Sequence, residues 1–200
     1  MNFLAHIYLS GNDKDVIIGN FIGDEVKGKS YKNYPASIQK GLLLHREIDT
    51  FTDAHPVVRQ STKRLHSKYS HYSGVIVDIL YDHFLAKNWD SYSGIPLEKF
   101  ADDFYRLLEE SRSVLPPAIL HMMPYMINGN WLVSYASIEG ISEVLTNMNY
   151  RTKNRSKMNL AVQELQEYYT EFETEFTVFF EELMHFCTLK MKELDRLLRR

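Results

Sequence analysis

The sequence predicts an all-α protein, a single helical bundle domain that ends in one long helix. Apolar residues recur mostly at intervals of three and four, and no alternating Val, Ile or Thr segments are joined by Asn-Gly or Asp-Gly turns. The 200 residues, 44% of them hydrophobic, suffice to bury one sizeable core. We therefore expect one domain over residues 1–200, without internal repeats.

Cap and stop residues divide the first half of the chain into five expected helices. Ser10-Gly11 ends the first, Asp13 suits the N-cap of the second, Pro35 suits the first turn of the third, and His55-Pro56 ends or kinks it. The fifth helix is apolar nearly all round and should be buried. In order, the expected helices cover residues 3–9, 13 to about 24, 35–55, 57–69 and 74–86.

Three further helical segments are expected before residue 150. An amphipathic helix covers residues 97–114, and Pro116-Pro117 breaks it. Helical segments at 118–127 and 131–148 follow, and a break near Gly140 is an alternative for the second of them.

The C-terminal part, residues 156–200, is expected to form one long helix that begins near Met158, after a polar loop at 150–157. Its apolar residues are spaced alternately by four and three, which fits packing within the chain or a helix pair in a homodimer. We favour packing within the chain, because aromatic side chains are unusual at these positions of a dimeric coiled coil. The stripe consists of Leu165, Tyr169, Phe172, Phe176, Phe179, Leu183 and Phe186.

Composition argues against several classes of protein. A formal net charge of −3 gives no general attraction to nucleic acid. The apolar runs are far shorter than the roughly 20 residues that span a bilayer, and the first residues do not resemble a secretory signal. The lone Cys187 excludes an internal disulfide, which favours a reducing compartment. We expect a cytoplasmic protein without a nucleic-acid or membrane partner.

Charge is unevenly distributed along the chain. Residues 57–72 contain no acid, and residues 163–182 contain seven glutamates and no Lys or Arg. Both runs are explained by solvated helix faces. Alternatively, the basic run is a docking surface for an acidic partner, formed by Arg59, Lys63, Arg64 and Lys68.

The strongest chemical signal is a stripe of metal-ligand side chains in the expected third helix. His45, Asp49 and Asp53 recur every four residues and so lie along one helix face, next to a leucine-rich segment. Burying an imidazole and carboxylates together is costly unless a cation lies among them. A divalent metal ion is the simplest candidate, although Asp53 before Ala54-His55-Pro56 also suits a turn.

Other side chains that could bind a metal ion lie on other apolar helices. His6 is equally consistent with a buried core histidine, and Asp24 with a helix-ending residue. Asp78 is surrounded by apolar residues on the fifth helix, where a carboxylate needs a cation, several donors or a proton. Asp82 and His83 follow one turn later. Arg46 could neutralise these acids as well as a metal could.

Imidazoles and carboxylates without a cysteine pair suit Mn²⁺, Mg²⁺ or Fe²⁺ better than structural zinc. Such an ion activates water, polarises phosphoryl oxygens and stabilises a leaving oxygen, so the site suits hydrolysis at phosphorus. Lys27 and Arg46 are candidate ligands for the substrate phosphate. A glycine-rich phosphate loop is absent, because the segment 19–24 lacks a Lys-Ser/Thr ending and a preceding strand.

Four motifs in this order resemble the acyl carrier protein phosphodiesterase family, and the resemblance covers roughly residues 1–155. Trp131-Leu132, Tyr135 and Arg151 continue it. The motifs are Asn2-Phe3-Leu4-Ala5-His6, Gly19-Asn20-Phe21-Ile22-Gly23-Asp24, the segment from His45 to Pro56, and the segment from Asp78 to Trp89.

The resemblance implies an all-helical fold distantly related to the HD-domain phosphohydrolases. It also implies a manganese-dependent hydrolysis that removes phosphopantetheine from a serine of holo acyl carrier protein. Asp49, Asp82 and Arg46 are the candidate catalytic residues. The adjacent His-Asp pair of HD proteins is absent, and Glu25 departs from the family pattern. The candidate metal ligands that fall on family motifs are His6, Asp24, His45, Asp49, Asp78, Asp82 and His83.

Two alternatives remain open at this point. The same metal site would serve an HD-like hydrolase of nucleotides or of another small phosphodiester. A helical scaffold that binds the carrier without catalysis would instead pair its acids with Arg46 and the lysines. The acidic carrier favours the docking interpretation of the basic run, because its helices would be attracted to that surface.

Overall fold

The computed structural model describes residues 1–198, in which eleven α-helices and several short 3₁₀ turns are present and no strand occurs. The all-α prediction is confirmed. The helices are α1 Phe3–Leu9, α2 Lys14–Phe21, α3 Ala36–Ala54, α4 Pro56–Tyr69, α5 Ser73–Lys87, α6 Leu97–Glu110, α7 Pro117–Asn128, α8 Trp131–Ser134, α9 Ile138–Arg151, α10 Ala161–Glu167 and α11 Tyr169–Leu198.

The first five helices follow the predicted caps closely. The Asp13 carboxylate accepts the backbone N–H groups of Asp15 and Val16 at the start of α2. His55 ends α3 in an extended conformation ahead of Pro56. The prediction for α2 was too long, because the helix ends at Phe21. Asp24 therefore stands in a 3₁₀ turn, Gly23–Glu25.

The predicted long C-terminal helix is present as α11, but it begins at Tyr169 rather than near Met158, because the chain turns at Tyr168 between α10 and α11. The turn lets α10 pack on α9 while α11 runs back along α3, α4 and α5. The segment 131–148 is likewise divided at residues 135–137, and Ser137 caps α9 by accepting the N–H of Gly140. The predicted break thus lies a few residues before Gly140.

The core surrounds α5, which is buried on nearly all sides as predicted. The aromatic stripe of α11 packs into this core, and Phe172, Phe176, Phe179 and Leu183 are fully buried. The stripe therefore packs within the chain. Among residues 1–198, no helix combines the length and apolar composition that a bilayer span needs.

Helices α2 and α3 approach each other unusually closely at two glycines. A Cβ atom on Gly19 would lie 2.2 Å from the carbonyl oxygen of Ile38, and one on Gly41 would lie 2.2 Å from that of Val16. Any larger side chain would push the two backbones apart. This contact brings the last turn of α2, which contains Asn20, against the imidazoles described next.

Candidate functional site

Three predicted ligands converge where α1 meets α3. His6, His45 and Asp49 each offer a nitrogen or oxygen atom, and these atoms lie within 4.8 Å of one another. The Asp49 carboxylate bridges the two Nε2 atoms, with Oδ1 3.3 Å from His6 Nε2 and Oδ2 3.0 Å from His45 Nε2. The rings stack with centroids 4.1 Å apart. Both imidazoles are buried, whereas the Asp49 side chain is 39% exposed, so the cluster is open to solvent on the carboxylate side.

Asn20 fixes the orientation of both rings, a role that the sequence analysis did not assign to it. Its side-chain oxygen lies 2.8 Å from His6 Nδ1, and its backbone oxygen lies 2.8 Å from His45 Nδ1. The Asn20 amide group donates to the carbonyl oxygen of His6 and to Ser10 Oγ, which fixes the side-chain oxygen as the acceptor. Each Nδ1 atom therefore donates, and each Nε2 atom faces Asp49.

The atoms that face one another in the cluster are electron-pair donors. With a proton on Nδ1, His6 Nε2 has only a lone pair to offer, yet it lies 3.1 Å from the Met1 carbonyl oxygen and beside Asp49. His45 Nε2 is buried and makes no hydrogen bond of acceptable geometry within the described residues. A histidine that binds a metal through one ring nitrogen usually donates the N–H of the other to a carbonyl or carboxyl oxygen. The arrangement of His6 and His45 therefore fits a divalent cation.

The pKa shifts of the three cluster residues also fit a bound cation. Burial by itself would raise the pKa of Asp49, but its contacts with His45 and His6 outweigh burial and hold the pKa well below its usual range. Burial would lower the pKa of His45, yet the carboxylates of Asp24 and Asp49 raise it to about 9. Burial lowers the pKa of His6 to about 4. The carboxylates thus favour positive charge at the cluster.

Two further acids border the cluster. Asp24 Oδ1 lies 3.6 Å from His45 Nε2, and its side chain is 73% exposed at the tip of the loop after α2. Asp78 on α5 lies 3.2 Å from the Met1 ammonium group, which is also 3.7 Å from Asp49 Oδ1. Burial raises the pKa of Asp78, and the ammonium group opposes this effect. Asp24 therefore contacts the cluster directly, whereas Asp78 is connected to it through the Met1 ammonium group.

Asp82 lies apart from the cluster of His6, His45 and Asp49. Its carboxylate is fully buried and accepts the backbone N–H groups of Leu4 at 2.7 Å and Ala5 at 3.2 Å, in the first turn of α1. Burial raises the pKa of Asp82 to about 7 against the opposing effect of these amides. Because both oxygens are engaged, Asp82 holds α1 in place. The structure does not bring it to the cluster as a ligand or a base.

His83 is also separate from the cluster. Its Nδ1 atom lies 2.8 Å from the Tyr135 carbonyl oxygen, and its Nε2 atom lies 2.8 Å from the Tyr169 hydroxyl group. One residue along a helix turns the side chain by about 100°, so His83 cannot share the direction of Asp82. Both ring nitrogens have partners, and we leave His83 out of the proposed metal site.

Arg46 and Lys27 are not placed where a phosphate group would bind at the cluster. The Arg46 guanidinium donates to the carbonyl oxygens of Val26 and Gly28 and lies over the Tyr31 ring. It therefore holds the loop that presents Asp24. Lys27 is exposed on the same loop. The role of Arg46 in binding or catalysis stays a prediction, and in the structure its guanidinium positions this loop.

The predicted docking surface divides into two pairs of residues. Arg64 forms a bidentate ion pair with the buried Glu175, and Lys68 lies 2.6 Å from Glu164. The basic and acidic runs therefore pair partly with each other within the chain. Arg64 is half-buried in its pair and supports the packing of α4 on α11, whereas Lys68 stays exposed beside Glu164.

Arg59 and Lys63 remain exposed, and they line a groove formed by α3, α4 and the start of α5. The groove has a volume of about 410 Å³ and is also lined by His66 and Asp53. Asp78 forms part of the same lining. We call it the cationic groove.

An Asn20→Ala variant should fold but bind metal poorly, because the His6 imidazole loses the side-chain oxygen that orients it, although the backbone oxygen that holds His45 remains. Loss of partners around a ligating histidine typically costs about 10–100-fold in metal affinity. The His6 carbonyl oxygen and the Ser10 hydroxyl group, both buried, also lose a hydrogen bond from Asn20. The free energy of unfolding should therefore fall by about 1–3 kcal/mol. Titration with Mn²⁺ and urea unfolding would measure the two effects. Asn33→Ala, at an exposed turn, is the control; equal Mn²⁺ affinity in both variants would contradict the role of Asn20.

Comparisons with known proteins identify the family of the chain. The sequence profile of a family described as acyl carrier protein phosphodiesterase matches residues 1–183, which extends the resemblance into α11. No solved structure gives a significant match, so the relation to HD-domain proteins stays a prediction.

Relatives named acyl carrier protein phosphodiesterase occur in Photorhabdus laumondii, Pectobacterium atrosepticum and Escherichia coli O157:H7. The Photorhabdus protein is 30% identical, and the match covers 92% of this chain and 93% of the relative. The other two are each 29% identical, with 92% of this chain and 96% of the relative covered. The chain belongs to the acyl carrier protein phosphodiesterase family.

Proposed function

We propose that the protein hydrolyses the phosphodiester bond between phosphopantetheine and a serine of holo acyl carrier protein, with a divalent metal ion as cofactor. The observation that carries the proposal is the convergence of His6, His45 and Asp49 as lone-pair donors around one point. The names of the relatives support the choice of substrate. Mn²⁺ is the first candidate ion, and Mg²⁺ and Fe²⁺ are alternatives.

His6, His45 and Asp49 would hold the ion, with Asp24 and Asp78 as further ligands. A bound ion supplies Lewis acidity, which polarises the phosphoryl oxygens and makes water a better nucleophile. Asn20 keeps both imidazoles in the tautomer that presents Nε2. Arg46 keeps Asp24 over the cluster by holding its loop.

The water molecule gives its oxygen to phosphorus, and the bond between phosphorus and the serine oxygen breaks. Asp78 is the acid best placed to take the proton that water loses, because it borders both the cluster and the cationic groove. The serine oxygen then takes a proton from solvent. In this role Asp78 replaces Asp82, whose oxygens are engaged by α1.

The cationic groove is the proposed docking surface for the acidic carrier. Arg59 and Lys63 are exposed along it, whereas Arg64 and Lys68 are held in ion pairs within the chain. Complementary charge would accelerate encounter with the carrier and orient its serine toward Asp78.

A Lys63→Glu variant should lower kcat/KM for holo carrier by about tenfold at low salt, because it places a negative charge in the path of an acidic partner. The difference from the unmodified protein should shrink as salt is added. Stopped assays analysed for apo carrier would measure it. Lys192→Glu, on the exposed side of α11, is the matched control. An equal loss of activity on a small phosphodiester would show that Lys63 does not act through docking.

Mass spectrometry of holo carrier incubated with the protein and Mn²⁺ tests the proposal directly. We expect the carrier mass to fall by that of the phosphopantetheine group, and a chelator should prevent the change. An unchanged carrier with hydrolysis of nucleotides would favour a small-phosphodiester hydrolase. An unchanged carrier without any bound or activating metal would favour a scaffold.

A further inference from the structure

A pocket that the steps above do not use lies beside the cluster, between the start of α1, α5 and the α8–α9 segment. It holds about 140 Å³. Its apolar lining comes from Phe3, Ile79, Trp131, Val144 and Met148. These side chains belong to four different helices, so the pocket is formed by the tertiary fold. We call it the α9 pocket.

The α9 pocket and the cationic groove border the cluster at neighbouring residues. Asn2 lines the pocket, and it directly follows Met1, whose carbonyl oxygen is 3.1 Å from His6 Nε2. On α5, Asp78 lines the groove, and the next residue, Ile79, lines the pocket. Successive helix residues point about 100° apart, so the two openings extend in different directions from the cluster.

The phosphodiester of the proposed substrate joins two different groups, an acidic protein and the pantetheine chain. The cationic groove and the α9 pocket also differ from each other in chemistry. Arg59, Lys63 and His66 line the α4 side of the groove, which suits an acidic protein, while Asp53 on α3 and Asp78 on α5 line its other sides. The pocket combines apolar walls with Asn2 and Asn147, and its one cation and one acid, Arg151 and Glu143, balance in charge. Apolar walls with a few amide partners suit an uncharged ligand.

The size of the pocket limits how much of a ligand it can hold. Its volume lies below the roughly 300–1,000 Å³ of sites that enclose drug-sized ligands. An extended chain can place one segment in this space while the rest of the chain lies outside it. Pantetheine is such a chain, because it is uncharged and carries two amide groups, a hydroxyl group and methyl groups.

We propose that the α9 pocket binds the pantetheine part of the substrate, so that the phosphodiester lies at the cluster with the carrier in the cationic groove. This inference rests on the proposed function. It adds the residues around Trp131 and Met148 as determinants of specificity, and it assigns the carrier and its arm to opposite sides of the metal ligands.

Pantetheine itself, added to the metal-free protein, is the probe that tests the inference, with binding measured by saturation-transfer NMR. Asn147 is exposed at the edge of the pocket, so an Asn147→Trp variant should block the entrance without disturbing the core. We expect at least about tenfold weaker binding in this variant. Glu139→Trp is the control, because Glu139 is exposed on the same helix outside the pocket. With an active enzyme, Asn147→Trp should also raise KM for holo carrier more than it lowers kcat.

Equal pantetheine binding by the two variants, or no binding by the unmodified protein, would overturn the inference. The measurement requires neither metal nor turnover, so its failure is distinct from failure of the proposed function. Hydrolysis of holo carrier by a protein that does not bind pantetheine would contradict the pocket alone. Binding of pantetheine by a protein that leaves holo carrier intact would support the pocket and contradict the proposed function.

Discussion

An Asp49→Asn variant is expected to lose at least about 10²–10³-fold in kcat/KM on holo carrier, the scale on which single electrostatic contacts act in catalytic sites. Asp49 contacts both imidazoles, at 3.3 Å and 3.0 Å. An amide keeps the shape of the carboxylate but removes the negative charge that a metal ion requires. Isothermal titration with Mn²⁺ and an assay for apo carrier would measure the two losses.

The matched control for Asp49→Asn is Glu47→Gln, which makes the same chemical change two residues earlier on α3. Glu47 pairs with Lys190 at 3.3 Å, at a site where an ion pair contributes little to stability. This control should bind Mn²⁺ and hydrolyse holo carrier like the unmodified protein. If Asp49→Asn retained full metal affinity, the cluster would not be the metal site.

A Gly41→Ala variant should be destabilised by about 1–3 kcal/mol and should lose metal affinity at the same time. An added Cβ would lie 2.2 Å from the Val16 carbonyl oxygen, 2.6 Å from the Asn20 nitrogen and 2.8 Å from the Gly19 Cα atom. These neighbours are backbone atoms, so α2 must move away from α3. Asn20 would move with it, and the two imidazoles would lose their common partner. Urea unfolding and Mn²⁺ titration would record the two effects.

Gly74→Ala is the control for the glycine prediction. Gly74 also lies in a helix, α5, but a Cβ there would meet no atom within 4 Å. Alanine has the higher helix propensity, so this variant should be more stable by up to about 1 kcal/mol. A Gly41→Ala protein as stable as Gly74→Ala would show that the close approach of α2 and α3 can relax without cost.

Local signals in the sequence were sufficient for much of the fold. The bounds of α1 and the cap of α2 depend on Ser10, Gly11 and Asp13, and the structure shows them as predicted. The break at Tyr168 was missed because no Pro or Gly marks it. It results from the packing of α10 on α9, which a local pattern does not contain.

The candidate site was predictable in part, for a similar reason. His45 and Asp49 stand four residues apart on one helix, so their proximity follows from helix geometry. The position of His6 beside them depends on how α1 packs, and the same packing engages Asp82 with backbone amides. The sequence did contain a signal for Asn20. Its neighbour Gly19 and Gly41 on the next long helix lack side chains, which allows the two helix backbones to touch.

The basic and acidic runs illustrate a different limit of prediction from sequence. Lys63 and Arg64 are neighbours in the sequence and looked equivalent, but one is exposed and the other pairs with Glu175 on α11. The basic and acidic runs are separated by about a hundred residues, so their pairing could not be inferred from either run alone. Only the folded chain shows which charges remain available to a partner.

The attachment of α1 through Asp82 links metal binding to folding. Seven residues are too few for a helix to be stable alone in water, so α1 forms only when α5 presents the Asp82 carboxylate to its first turn. His6 therefore reaches its place only in the completed fold. The unfolded chain offers no comparable site, and the free energy of metal binding should appear as added resistance to thermal unfolding.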